Sequence, residues 1–234
     1  MNGWQTYRLE DFIPFTPEVY WRLLERINEA FWPLHVFAVA IGLTALLLAL
    51  RGNKRIALAL LAPAWLTSGI IFHFTYYAEL NWAASWFGWG FVAQAALLLA
   101  LALFAGSGRP QGPSKGLSTW IGTTVALVSV LAYPLIAATI GPGLSHAETY
   151  GLHPDPTAIA TLGVLLILLR GPTLWLAMLI PILWCVIASL TLMAIDTTGA
   201  LIPLAAVIII AGASVARSIN SAAKNEKADG GIEA

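Results

Sequence analysis

Long uncharged apolar runs recur from residue 33 onward, and they set the limits on what this chain can fold into. A helix needs about 20 apolar residues to cross a hydrocarbon core of roughly 30 Å. Candidate spans are 33–50, 56–77, 83–105, 118–140, 157–169, 173–195 and 199–216, with Phe31 and Trp32 as the interfacial start of the first. The fifth is short: it rises only about 20 Å at about 1.5 Å per residue. It lies between Asp155-Pro156 and Arg170-Gly171-Pro172, and fits either a short span or a re-entrant segment buried among its neighbours. Composition agrees with a bilayer. Of 234 residues, 59% are hydrophobic and 10% charged, against roughly 25% charged in soluble domains. So few charges cannot cover a water-facing globule.

Loop charge orders the spans. Lys and Arg fall at 51, 54 and 55, at 109 and 115, at 170, and at 217, 224 and 227, which is nine of the twelve in the chain. The alternate loops carry Glu79, then Glu148 and Asp155, then Asp196, and no basic residue. Cytoplasmic loops are enriched in Lys and Arg. Seven spans with the N-terminus outside and the C-terminus inside satisfy every loop, whereas six would put Arg170 and the basic tail outside. The expected fold is therefore an all-α polytopic transmembrane bundle. It divides into an outer-face segment 1–32, a bundle 33–217 and a flexible cytoplasmic tail 218–234. Residues 1–30 contain many charges and no uncharged stretch of the kind a cleavable signal needs, so the first span is expected to act as an uncleaved anchor.

The segment before the first span has a helical pattern of its own. Thr16-Pro17 supplies an N-cap and first-turn pair. Tyr20, Leu23, Leu24, Ile27 and Phe31 then recur at i, i+3, i+4 spacing, with Arg22, Glu25, Arg26 and Glu29 on the other side. This predicts an amphipathic helix lying on the outer membrane surface, an anchor or a docking face for a partner in a membrane complex. Trp82, Trp86 and Trp89 read as an interfacial aromatic belt. Residues 106–117 read as a Gly/Pro/Ser-rich flexible loop.

The predicted topology places all four histidines, His35, His73, His146 and His153, on the outer side with Glu79, Glu148, Asp155 and Asp196. Imidazoles and carboxylates suit zinc or copper. His35, His73, His146, His153 and Asp155 form the candidate metal set, against the plainer reading of separate histidines bonded to loop backbone. Tyr76, Tyr77, Glu79, Asn81 and Glu148 form the candidate ligand set. In Ile71-Phe72-His73-Phe74-Thr75-Tyr76-Tyr77, the tyrosines fall on roughly the histidine's own face of an α-helix. Haem would need His35 as a second axial ligand to His73, and His35 lies close to the interface. Gln94 is read as a buried inter-helix hydrogen-bonding group. Pro134 and Pro181 are read as helix breaks, and Asp196 as the start of the outer turn and the cap of the last span.

Several chemistries lack their motifs. The sequence has no Gly-x-Ser-x-Gly elbow, no phosphate-binding loop and no Cys-x-x-Cys. The last three spans hold no histidine pair, and 199–216 has no lysine for retinal. With formally zero net charge, nothing points to nucleic acid.

Four blocks carry a resemblance. They are Phe15-Thr16-Pro17-Glu18-Val19-Tyr20-Trp21-Arg22-Leu23 continuing to Asn28 and Trp32-Pro33; Tyr77 through Asn81-Trp82-Ala83-Ala84; Gly151-Leu152-His153-Pro154-Asp155-Pro156-Thr157 with Thr161-Leu162-Gly163; and Ile180-Pro181 with Trp184. Together they resemble an uncharacterised bacterial family of membrane proteins, a domain of unknown function (DUF6064). The resemblance implies a multi-span inner-membrane protein and supplies no activity. It also implies, for many members, a cysteine between the two prolines where this chain has Asp155.

Three functions follow as expectations. The first is an accessory or binding membrane protein with a polar His/acid site at its outer face. The second is a small transporter or channel using the proline breaks and Gln94. The third is a metal-dependent membrane enzyme. The first ranks ahead because the spans hold almost no ionisable group to line a path.

Overall fold

A computed structural model describes residues 13–105, 116–140 and 142–229. Residues 1–12, most of the 106–117 loop expected to be flexible and the last residues of the 218–234 tail lie outside that range. The described residues are mostly helical, with one isolated bridge between Tyr150 and His153 and no strand. The helices are α1 (Pro17–Ala30), α2 (Leu34–Leu50), α3 (Lys54–Thr67), α4 (Ala84–Phe104), α5 (Leu117–Leu127), α6 (Tyr133–Ile140), α7 (Pro154–Leu168), α8 (Gly171–Ala194) and α9 (Leu201–Asp229). Two continue as π-helix: α3 through Ser68–Tyr76, and α5 through Val128–Ala132 into α6. Helix α9 runs to Asp229, well into the stretch whose composition reads as a tail.

Five helical stretches are long and apolar enough to cross a membrane: Lys54–Glu79, Ala84–Phe104, Leu117–Ile136, Gly171–Ala194 and Leu201–Asn220. Helix α2 has 17 residues, and α7 has 15. The short α7 is the hub. Every residue from Pro154 to Ile167 is buried, and the helix packs against α2, α3, α5, α8 and α9. A helix apolar on all faces must be covered on all faces, and this one is covered by protein.

Its polar groups are tied to the surrounding helices. Trp65 Nε1 donates to Thr161 Oγ1 at 2.8 Å, and Ser129 Oγ to the Pro156 carbonyl at 2.6 Å. Gly163 lies against Gly122 of α5, where a Cβ on Gly163 would stand 2.5 Å from the Gly122 carbonyl oxygen. The last carbonyls of a helix have no partner within it. Here Arg170 Nη1 reaches Leu166, Ile167 and Leu169 at 3.2, 3.1 and 2.9 Å, and Arg217 reaches Leu166 and Leu169 at 2.6 and 3.0 Å. Two cations thus close the buried C-terminus, the end they favour electrostatically.

Helix α1 forms as its periodicity predicts and meets α2 at 90°. Its apolar face does not lie open to a membrane surface. Tyr20, Leu23, Leu24 and Ile27 are buried against Phe72, Tyr77, Leu152, Leu192, Ile195 and Ala200, so α1 is a lid on one end of the bundle. Asn28 Nδ2 fixes it by donating to the Ser145 and Ala147 carbonyls at 2.8 and 3.1 Å.

Asp196 stands in the turn after α8 as expected, but it does not cap the last span. It follows the end of α8 with φ 51°, its N–H bonds Met193 at 3.1 Å, and the Thr197 N–H bonds Leu192 at 3.0 Å. This paired closure of a helix C-terminus needs one left-handed residue. Asp196 therefore ends α8 rather than capping α9, which begins at Leu201.

Candidate functional site

The lid, the 142–153 segment and the α8–α9 turn enclose a cleft of about 220 Å³, with Tyr20, Trp21, Tyr133, His146, Glu148 and Asp196 among its walls. Glu148 forms its floor. The residue is 5% exposed, and Tyr20 donates its hydroxyl to Glu148 Oε1 at 3.0 Å. The second oxygen, Oε2, is buried without a hydrogen-bond partner. Burial pushes the Glu148 carboxyl well above its ordinary range, and the neighbouring Asp155 carboxyl pushes it further, since two like charges resist ionising together.

Behind Tyr20 lies a second space of about 10 Å³, reaching Phe72, Tyr77, Asp155 and Trp184. That is roughly room for one water. Tyr20 and Leu192 line both spaces, so Tyr20 is the wall between them. Asp155 Oδ1 accepts from Trp184 Nε1 at 2.8 Å, while Oδ2 is another buried oxygen without a partner. Helices α1, α6, α7 and α8 thus bring Tyr20, Tyr133, Asp155 and Trp184 around one acidic centre.

The histidines do not converge on a metal. Among the described residues no three His, Cys, Asp or Glu side chains are arranged to hold one. His35 Nε2 bonds Asn28 Oδ1 at 2.8 Å. His146 Nδ1 lies 2.9 Å from Ser145 Oγ, and its Nε2 lies 3.8 Å from Glu25. His153 is the N-cap residue of α7, and its Nδ1 accepts the Thr149 N–H at 2.9 Å. The His35 and His153 ring centres are 6.4 Å apart. Three histidines therefore fasten the lid and the buried loop to the bundle.

His73 stands apart. It is fully buried among Phe91, Trp184, Phe72, Tyr77 and Phe87, with ring centres 4.5, 4.7, 5.1, 6.0 and 6.2 Å away. Neither ring nitrogen has a partner. Of the two tyrosines that α-helical spacing sets on its face, Tyr77 packs edge-on against the ring without a hydrogen bond and Tyr76 turns away, because this stretch is π-helical. Its i→i+5 bonding changes which side chains stack. Tyr76 instead packs on Phe31 and lies 5.2 Å beneath the Arg26 guanidinium.

The candidate ligand set separates likewise. Tyr77 accepts from Asn81 Nδ2 at 3.1 Å, and Asn81 Oδ1 accepts the Ala83 N–H at 2.9 Å, the local turn that starts α4. Glu79 pairs with Arg26 at 3.2 Å on the surface. Glu148 lines the cleft, and Tyr77 lines the small space behind it. Tyr20, Tyr133 and Trp184 complete the centre and were not among the sequence candidates. Tyr20 was visible only as a member of an apolar face, which says nothing of where its hydroxyl goes. Gln94 is tied to the Ala177 carbonyl at 3.0 Å, and it lines neither the cleft nor the small space behind it.

A model of a family of unknown function, DUF6064, matches residues 17–221. The chain belongs to that family. The match begins at the first residue of α1, so DUF6064 includes the lid as well as the bundle. No curated protein and no solved structure matches the chain.

Proposed function

We propose that this DUF6064 member is a multi-pass membrane protein that binds a polar ligand in the cleft beneath α1, as an accessory or binding subunit. In the orientation that loop charge predicts, the cleft opens on the non-cytoplasmic side of an inner membrane. One observation carries the reading: Glu148 Oε2, buried and unpartnered, at the floor of a cleft of about 220 Å³. A buried acceptor without a partner costs about 1–3 kcal/mol, and a chain that retains one beside a cavity has a site a ligand can complete. Ligand pockets combine apolar walls with a few such polar groups.

The test is thermal melting of detergent-purified protein against a panel of small polar solutes, with wild type and Glu148→Gln side by side. At least one solute is expected to raise the melting temperature of wild type and leave the variant unmoved. If every stabilising solute acts equally on both, the cleft is not a binding site.

A further inference from the structure

The lining of the cleft specifies a charge as well as a place. Glu148 and Asp196 both face it, and among the described residues no Lys or Arg does. His146 is the remaining lining group able to carry positive charge, and its Nε2 is turned to Glu25. Tyr20, Trp21 and Tyr133 supply aromatic walls, whose ring faces attract cations and repel anions. Asp155 adds a third carboxyl close behind Glu148.

We propose that the cleft recognises a small organic cation, an ammonium compound seated against the Tyr20, Trp21 and Tyr133 rings with its charge toward Glu148 and Asp196. The proposal rests on the binding reading above and names its ligand class. An inorganic ion fits poorly. Hard cations such as calcium take six to eight oxygen ligands, and no metal-holding group of three is present among the described residues. An ammonium group tolerates aromatic contact and supplies the counter-charge that lets a buried carboxyl ionise. Size points the same way, because about 220 Å³ is below the roughly 300–1,000 Å³ of pockets for drug-sized ligands.

The experiment is isothermal titration of the full chain, in an uncharged maltoside detergent. Choline and ethanolamine are compared with 3,3-dimethylbutan-1-ol, the neutral carbon isostere of choline. One or both amines are expected to bind about tenfold or more tightly than the isostere, and Glu148→Gln to remove that preference. Asp196→Asn keeps a residue that tolerates the left-handed turn, so it reports on charge in a folded protein. It is expected to weaken the amines about threefold. Equal binding of choline and its isostere, both weakened by Glu148→Gln, overturns the cation assignment and leaves the binding site standing. Amine binding unaffected by either variant, or no amine binding at millimolar concentration, also overturns it. If the solute panel is Glu148-independent as well, the binding reading falls with it.

Discussion

His153 and Glu148 lie five positions apart, and burial drives them in opposite directions, each away from its charged form. His153 is held down to about 3 from an ordinary 6.5, by burial first and then by nearby His35. The sign follows from linkage. The folded protein keeps this imidazole neutral while the unfolded chain takes up a proton below about 6.5. Its contribution is therefore complete above that pH and is lost as pH falls toward 3, at up to about 1.4 kcal/mol per pH unit. Melting temperature is expected to fall through this window, and His153→Asn to flatten the fall, as read by thermal denaturation in detergent. A variant as pH-sensitive as wild type would remove His153 from the account. Glu148 has the reverse sign: its raised folded value favours the bundle at low pH and withdraws that support as pH rises through it. Glu148→Gln is expected to abolish that loss, which begins as pH rises past the ordinary carboxylate range.

At the scale of elements, α1 and the α5–α7 crossing are the parts most open to test. Asn28 alone joins the lid to two carbonyls of the buried loop and to His35. Asn28→Ala is expected to cost about 1–3 kcal/mol and to expose the 31–33 turn to protease. An unchanged digestion pattern would show that apolar packing holds α1 by itself. The helix was legible because its alternation is local. Its destination was not, because period reports which face is apolar and never what covers it. Gly163→Ala would bring a methyl carbon to 2.5 Å from the Gly122 carbonyl and 2.8 Å from the Ala126 nitrogen. Both contacts are backbone and cannot swing away, so the helices must part, at a cost of about 1–3 kcal/mol. A melting temperature equal to wild type would contradict this packing. The π-helical stretch at Ser68–Tyr76 had no sequence signature, and it is what separates His73 from Tyr76.

For the whole molecule, the open quantity is orientation, and one native cysteine makes it accessible. Cys185 is fully buried. Leu144→Cys would sit on an exposed position beside the cleft, and Ser218→Cys on an exposed turn of α9. A membrane-impermeant maleimide is expected to label the first on intact cells, and the second only after permeabilisation. The opposite pattern would turn the cleft to the cytoplasm. Arg170 and Arg217 entered the topology argument as loop charges, yet both also close the buried end of α7. Replacing either should therefore disturb stability as well as orientation.

Composition and pattern determined the apolar solvent of this protein, its helical class, and the amphipathic helix before the first apolar run. Those properties depend on residues near one another in sequence, or on their average. Sequence left α7 as either a short span or a re-entrant segment buried among its neighbours, and tertiary structure alone made it the helix that α2, α3, α5, α8 and α9 cover. It alone seated α1 on protein instead of lipid. Tyr20 and Glu148 meet across 128 positions of sequence. Nothing in the spacing of either announces the other, because their contact depends on how distant helices pack.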